Sequence, residues 1–207
     1  MISIIDYGVC NVGSILNMLK RVGAAARLVA SPAELAGSTK LILPGIGAFD
    51  AGMSYLRQKG FVEPLRELVL ERRTPILGIC LGAQLMTLGS EEGNDSGLGF
   101  FQAQVRRFKF PPQGLKVPHI GWNRVKVEKA NALLEGYAEP PRFYFVHSYY
   151  MDCADAGDVV ATTVYGHGFV SIIGHGATVG VQFHPEKSHR FGMQLMSNFA
   201  AADTGAE

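Results

Sequence analysis

Pro75-Ile76-Leu77-Gly78-Ile79-Cys80-Leu81-Gly82-Ala83-Gln84-Leu85 is the stretch on which the fold turns. The apolar run from Pro75 to Ile79 reads as a buried strand that leads straight into Cys80. Gln84, Leu85 and Leu88 follow at helical spacing. Strand, nucleophile and helix, with Gly78 and Gly82 flanking the cysteine, make the G-x-nucleophile-x-G elbow, here with a thiol in place of the serine hydroxyl. Such a turn is sharp, it strains the backbone at the nucleophile, and its glycines let neighbouring backbone approach closely. A free thiol titrates near about 8.5, so little is thiolate at neutral pH. A helix N-terminus and a nearby histidine both favour the thiolate. A single cysteine is more often a buried structural residue; the two glycines and the flanking elements favour a nucleophile here.

Upstream of the elbow, short apolar runs alternate with helical patterns. Ile2 to Ile5 reads as a buried strand, and Ile15, Leu16, Leu19 and Val22 follow at helical spacing, with Gly23 where a C-cap belongs. Leu41 to Leu43 is another strand, ending at Pro44-Gly45; helices are expected over about Ala51 to Lys59 and Val62 to Arg72. This alternation predicts parallel βαβ units with helices on both faces of the sheet.

Downstream the pattern changes. Val105 to Phe108, Val125 to Val127, Arg142 to Val146, Val159 to Thr163, Phe169 to Ile173 and Thr178 to Phe183 all read as strands. Gly166-His167-Gly168 and Gly174-His175-Gly176 read as turns between some of them, so these strands are expected to add antiparallel. A closing helix is predicted from about Arg190 to Ala201, with Phe191, Leu195, Met196 and Phe199 inward. The expected fold is therefore α/β: one domain over residues 1–202, a mixed, mostly parallel central sheet flanked by helices, with antiparallel additions in the second half. A frayed tail is expected from Asp203 to Glu207.

Bulk properties narrow the function classes. The 207 residues fit one domain with a substantial core, and 47% hydrophobic with 18% charged residues is an ordinary globular composition. A formal net charge of +1 gives no reason to expect nucleic acid or an anionic membrane as partner. The three cysteines, Cys10, Cys80 and Cys153, are odd in number and far apart, which argues against a disulfide framework or a zinc site. With no secretory leader pattern and no apolar run of bilayer length, the cytoplasm is the expected compartment. No metal or organic cofactor is expected.

A thiolate nucleophile needs a base and a group to orient it. Gly180-Val181-Gln182-Phe183-His184-Pro185-Glu186 offers both. His184 comes at the end of an apolar strand, Pro185 stops that strand, and the Glu186 carboxylate can accept from the imidazole and hold its tautomer. Alone, His-Pro-Glu is a loop histidine beside an exposed glutamate; in a chain with a cysteine elbow it gains weight. Acyl transfer also needs N–H groups aimed at the developing oxyanion. Pro44-Gly45-Ile46-Gly47 follows a strand, and parallel sheets gather functional loops at the carboxyl ends of their strands. The N–H of Leu81 and one from the Gly45 to Gly47 loop are the natural donors.

Together these segments resemble the class I (triad) glutamine amidotransferases over nearly the whole chain, and within them the glutaminase subunits of imidazole glycerol phosphate synthase. Asp6-Tyr7-Gly8, Leu43 to Phe49, Gly78 to Gly82, Ser90-Glu91-Glu92, Pro118 to Asn123, Tyr144 to Tyr149 and Gln182 to Ser188 carry the resemblance. It implies a glutaminase with Cys80 as nucleophile, His184 as base and Glu186 as orienter. Ile46 and Leu81 would supply oxyanion N–H groups, and Gly45, Gly47, Gln84, Glu92, Ser148 and Tyr149 would bind L-glutamine. It also implies a heterodimer with a (β/α)8 barrel synthase subunit that receives ammonia through an internal channel, for histidine biosynthesis. Asn11, His119, Trp122, Asn123, Tyr144 and Lys187 would lie near that interface; Trp122, the only tryptophan, is as readily read as core. Two positions depart from the family pattern: Cys10, where Gly is usual, and Ala83, where Met is usual.

The stretch Ser188 to Leu195, with Ser90 to Asn94, also resembles paralogues that deliver ammonia for cell-surface sugars. That reading leaves the glutaminase chemistry unchanged and alters only the acceptor. A cysteine hydrolase or peptidase on the same fold is a third reading, against which the His-Pro-Glu strand end argues. A non-catalytic binding module is expected to have lost Cys80, His184 or Glu186, and all three are present.

Overall fold

The computed structural model describes residues 1–8 and 10–202. In chain order the elements are β1 Ile2–Ile5, α1 Val12–Arg21, β2 Ala26–Val29, β3 Lys40–Gly45, α2 Phe49–Gln58, α3 Val62–Arg66, β4 Ile76–Cys80 and α4 Leu81–Leu85. The second half holds β5 Gly89–Ser90, β6 Ala103–Arg107, β7 His119–Arg124, β8 Lys126–Val127, β9 Arg142–His147, β10 Tyr149–Cys153, β11 Val159–Tyr165, β12 His167–His175, β13 Thr178–Val181 and α5 His189–Ala201.

The main sheet runs β2-β1-β3-β4-β13-β12-β10-β6-β5, with β11 against β12 and β8 against β11; β7 and β9 form a separate antiparallel pair. From β2 to β13 neighbouring strands are parallel, whereas β13-β12, β12-β10 and β10-β6 are antiparallel. The α/β fold with a mixed sheet, expected from the change of pattern between the two halves, is the fold observed. Strands β1, β3 and β4 are buried at every residue, which is why they read as continuous apolar runs rather than alternations.

Alternate residues of these strands feed two cores. Ile4, Ile42, Leu77 and Ile79 pack in one with α1 and α5, while Ile5, Leu41, Leu43 and Ile76 pack in the other with α2, α3 and α4. The inner face of α5 is Phe191, Leu195, Met196 and Phe199, as its periodicity predicts. The C-terminal end of α5 is capped from the sheet: the Lys40 ammonium donates to the carbonyls of Phe199, Ala200 and Ala202 at 2.8, 2.6 and 2.7 Å.

Several boundaries differ from the sequence reading. The helix expected over Val62 to Arg72 is α only to Arg66 and continues as a π-helical turn, Glu67–Glu71. His167 and Gly168, read as turn residues, belong to β12, and Gly166 alone reverses the chain at φ 75°. His175 likewise ends β12. Val125 lies between β7 and β8 rather than in a strand. Strands β2, β5, β7 and β10 have no counterpart in the sequence reading. The tail expected from Asp203 lies outside the described residues.

The placement of the site follows from three neighbouring parallel strands. Gly45 at the end of β3 is level with Cys80 at the end of β4, and Val181 at the end of β13 is level with Ile79. The oxyanion loop, the elbow and the segment leading to His184 therefore leave the sheet at one edge.

Candidate active site

Cys80 closes β4 and precedes α4 with φ 54° and ψ −113°, a left-handed backbone that side chains rarely adopt. The turn is held by absence of bulk around it. A Cβ on Gly82 would stand 1.8 Å from the Leu43 carbonyl oxygen, and one on Gly78 would meet Met86 Sδ at 2.5 Å. Ala83 packs beneath the same turn, against Gly78 and Gly180. Cys80 is 8% exposed, and its sulfur is 3.9 Å from the Gln182 amide nitrogen.

His184 is held by backbone on both sides. Its N–H donates to Tyr144 O at 2.9 Å, and its carbonyl accepts from Ser188 Oγ at 2.6 Å, while Tyr144 N–H donates to that same hydroxyl at 3.0 Å. Pro185 opens a 3-10 turn, Pro185–Lys187, that folds Glu186 back beneath the ring. His184 Nδ1 donates to Glu186 Oε1 at 2.7 Å, with both side chains 3% exposed. Nδ1 being committed to the carboxylate, Nε2 is the nitrogen left for the thiol. Burial alone lowers the affinity of His184 for a proton. Hydrogen bonds to Cys80 and Glu186, and the negative charge those groups carry, outweigh it and push the imidazole up to about 10.

These groups open into one cavity of about 330 Å³, lined by Ile46, Gly47, Cys80, Leu81, Gln84, Glu92, Ser148, Tyr149 and His184 among others. Residues from six separate stretches of sequence thus meet. Gly45 is the exception among the expected glutamine ligands: it lies outside the lining, packed in β3, where a Cβ would stand 2.5 Å from Tyr7 Oη. Gln84 turns its amide to Gln182 Oε1 at 3.1 Å and Tyr149 O at 3.2 Å, so it braces the wall. Glu92 accepts the Phe49 N–H at 2.9 Å and so fastens its loop to the start of α2.

The residues expected at an interface divide. Trp122 is 43% exposed, which removes the core reading. It stacks on His189 at 5.6 Å and meets Tyr144 edge-on at 6.4 Å; the Lys187 ammonium lies 5.8 Å from the Tyr144 ring. Lys187 also lines the cavity, so this patch borders the site. Asn11 is exposed at the start of α1. His119 is only 3% exposed and cannot be a surface contact; it points from β7 into an aromatic cluster with Phe145 and Tyr165. Two residues with polar contacts here had no role assigned from sequence. Gln182 and His147 both lie in stretches that carry the family resemblance, and being polar in otherwise apolar strands was their only signal. Among the described residues no cluster of three or more His, Cys, Asp or Glu is placed to hold a metal.

A strained cysteine at a strand-to-helix turn, a buried histidine–glutamate pair and a shared cavity at the carboxyl edge of a mixed sheet define an amidotransferase of the cysteine-elbow type. The family model for class I glutamine amidotransferases matches residues 3–202, and the chain belongs to that family. It is 49% identical over 199 residues to imidazole glycerol phosphate synthase subunit HisH 2 of Methanococcus maripaludis, covering 96% of this chain and 98% of that one. It is 50% identical over 199 residues, with the same coverage, to subunit HisH 2 of Pseudomonas aeruginosa. The fold is shared with PurLQS from Thermotoga maritima (TM-score 0.73, 16% identity, 96% of each chain).

Proposed function

We propose that this chain is the glutaminase subunit of an imidazole glycerol phosphate synthase, hydrolysing L-glutamine and passing the ammonia to a (β/α)8 barrel subunit in the cytoplasm. The observation that carries the reading is the Cys80–His184–Glu186 constellation, in which Cys80 and His184 line one cavity and the buried Glu186 holds His184, in a chain about half identical to HisH subunits over nearly its full length. His184 takes the thiol proton and stands as imidazolium, which Glu186 orients and stabilises. The Cys80 thiolate attacks the side-chain amide carbon of glutamine, and the N–H groups of Leu81 and Ile46 receive the oxyanion. The imidazolium returns the proton to the departing nitrogen, so ammonia leaves and a glutamyl thioester remains. Water, deprotonated by His184, attacks the thioester; the sulfur is expelled and glutamate is released. Gly47, Gln84, Glu92, Ser148 and Tyr149 shape the pocket for glutamine.

The partner docks on the patch of Trp122, Tyr144 and Lys187 at the mouth of the cavity, with Asn11 and Asn123 at its periphery. Hydrolysis without a partner wastes glutamine, so the isolated chain is expected to be nearly inactive, its Gly45 to Gly47 loop set only on docking. The test is glutamate release from glutamine, with and without the histidine-pathway barrel subunit and its nucleotide-like ligand. Strong stimulation is expected. High activity of the single chain would overturn the gating. Absence of stimulation, in a chain whose Cys80 still reacts with a glutamine-like electrophile, would move the ammonia acceptor to a surface-sugar pathway.

A further inference from the structure

At the cavity wall, two buried histidines form a hydrogen-bonded pair that the triad chemistry does not use. His119 on β7 and His147 on β9 face each other across the two-stranded ribbon, His119 Nδ1 lying 3.0 Å from His147 Nε2. The chain of bonds continues both ways. His147 Nδ1 is 2.7 Å from Tyr149 O, and His119 Nε2 is 3.3 Å from the Asn123 amide nitrogen.

Both ends fix the protons. A carbonyl oxygen only accepts, so His147 Nδ1 carries hydrogen and its Nε2 is bare; His119 must then donate through Nδ1. At the far end, Asn123 Oδ1 accepts the Arg124 N–H at 2.8 Å and its NH2 donates to Val164 O at 2.9 Å, so the amide presents a donor to His119 Nε2. The two deductions meet without conflict, which leaves one tautomer for each ring. Neither ring has room for a second proton without setting donor against donor. Burial pushes His119 down to about 4 and His147 down to about 3, the latter against its backbone bond and with His119 and His184 nearby. Phe145, Tyr165 and Phe169 pack around the pair.

The carbonyl that His147 holds stands at a corner. Strand β9 ends at His147, Ser148 turns the chain, and β10 starts at Tyr149 in the other sheet. His147, Ser148 and Tyr149 all line the cavity, and the Gln84 amide donates to the same Tyr149 carbonyl at 3.2 Å. We propose that His147, locked in its Nδ1–H tautomer by His119, is a positioning residue that sets the Ser148–Tyr149 corner for substrate. It acts through the backbone it holds, and it rests on the glutaminase reading of the cavity.

Three side chains at position 147 separate this role from simple space-filling. His147→Asn keeps a donor where Nδ1 stands, His147→Gln moves the donor to where Nε2 stands, and His147→Phe fills the aromatic surroundings with no donor. In the complex with its barrel partner, Phe and Gln are expected to raise KM for glutamine about five- to tenfold, the loss of one hydrogen bond, with kcat nearly unchanged. Asn is expected to restore KM to within about twofold. A space-filling role gives the reverse order, Phe best and Asn worst, and that order would overturn the proposal. Should the variants fail to fold, nitrogen-15 NMR of the wild-type full chain decides. Both rings are expected to report Nδ1–H and to stay neutral between about pH 5 and 8; an Nε2–H tautomer at His147 would sink the idea. Wild-type complex without glutaminase activity would fail the functional reading, while the NMR result would still stand on its own.

Discussion

At the scale of single residues, the site rests on opposing influences at His184. Burial disfavours its charge, and the neighbouring thiol and carboxylate favour it strongly enough to lift the imidazole up to about 10. An unfolded histidine titrates near about 6.5. The raised value therefore stabilises the fold fully below about pH 6.5, and that contribution is lost as the pH climbs through about 10. Cys80→Ala removes the first of the raising influences and leaves the burial. His184 is then expected to titrate lower than in the native chain, as followed by NMR. In the same variant, glutamine-dependent synthesis is expected to fall to background, with ammonia-dependent synthesis by the complex intact. Loss of both activities would give Cys80 a structural part instead. The residues of this chemistry were the most legible part of the sequence. A nucleophile between two glycines and a histidine stopped by proline are local signals, and each survives folding unchanged. Gly45 stands outside the cavity lining, and a glycine packed closely against Tyr7 and Gly82 looks the same in sequence as one needed for ligand approach.

At the scale of elements, legibility followed burial. Strands β1, β3 and β4 are wholly buried and were read directly. β7 escaped because its polarity is inverted: His119 faces inward at 3% exposure, while Ile120 and Trp122 face outward at 59% and 43%. β2 is four residues at a sheet edge, mostly partly exposed, with little pattern to show. The π-helical turn after α3 has no local sequence signal, since the same residues suit an α-helix. Contacts distant in sequence were also invisible, and the cap on α5 is the clearest. Lys40 reaches three carbonyls at the end of that helix, giving terminal acceptors a donor from outside the helix. Lys40→Met keeps the stem and removes the donors. It is expected to cost about 2 kcal/mol and lower the melting temperature by roughly 4–8 °C. Calorimetry checks this, and an unchanged melting temperature would show the cap to be dispensable.

At the scale of the whole molecule, the exposed aromatic patch on the β7–β9 pair and α5 lies beside the cavity. Trp122 is stacked on His189 and lies 5.9 Å from the Arg142 guanidinium, so its exposed ring is held in place. Trp122→Ala is expected to weaken binding of the barrel subunit by about 2 kcal/mol, near thirtyfold in Kd, with the chain's own stability little changed. Titration calorimetry with the purified partner reads this directly, and an unaltered Kd would place the interface elsewhere. The adjacent strands β4 and β13 bear on how such a molecule can change over time. Cys80 ends one, His184 follows the other by three residues, and the parallel register from Thr178 with Ile76 to Val181 with Ile79 keeps them level. A single residue added or lost in either strand would slide nucleophile past base by about 3.3 Å, beyond the reach of a proton transfer. Loops away from the site can lengthen and shorten among its descendants, whereas these two strands can accept substitutions but not insertions or deletions.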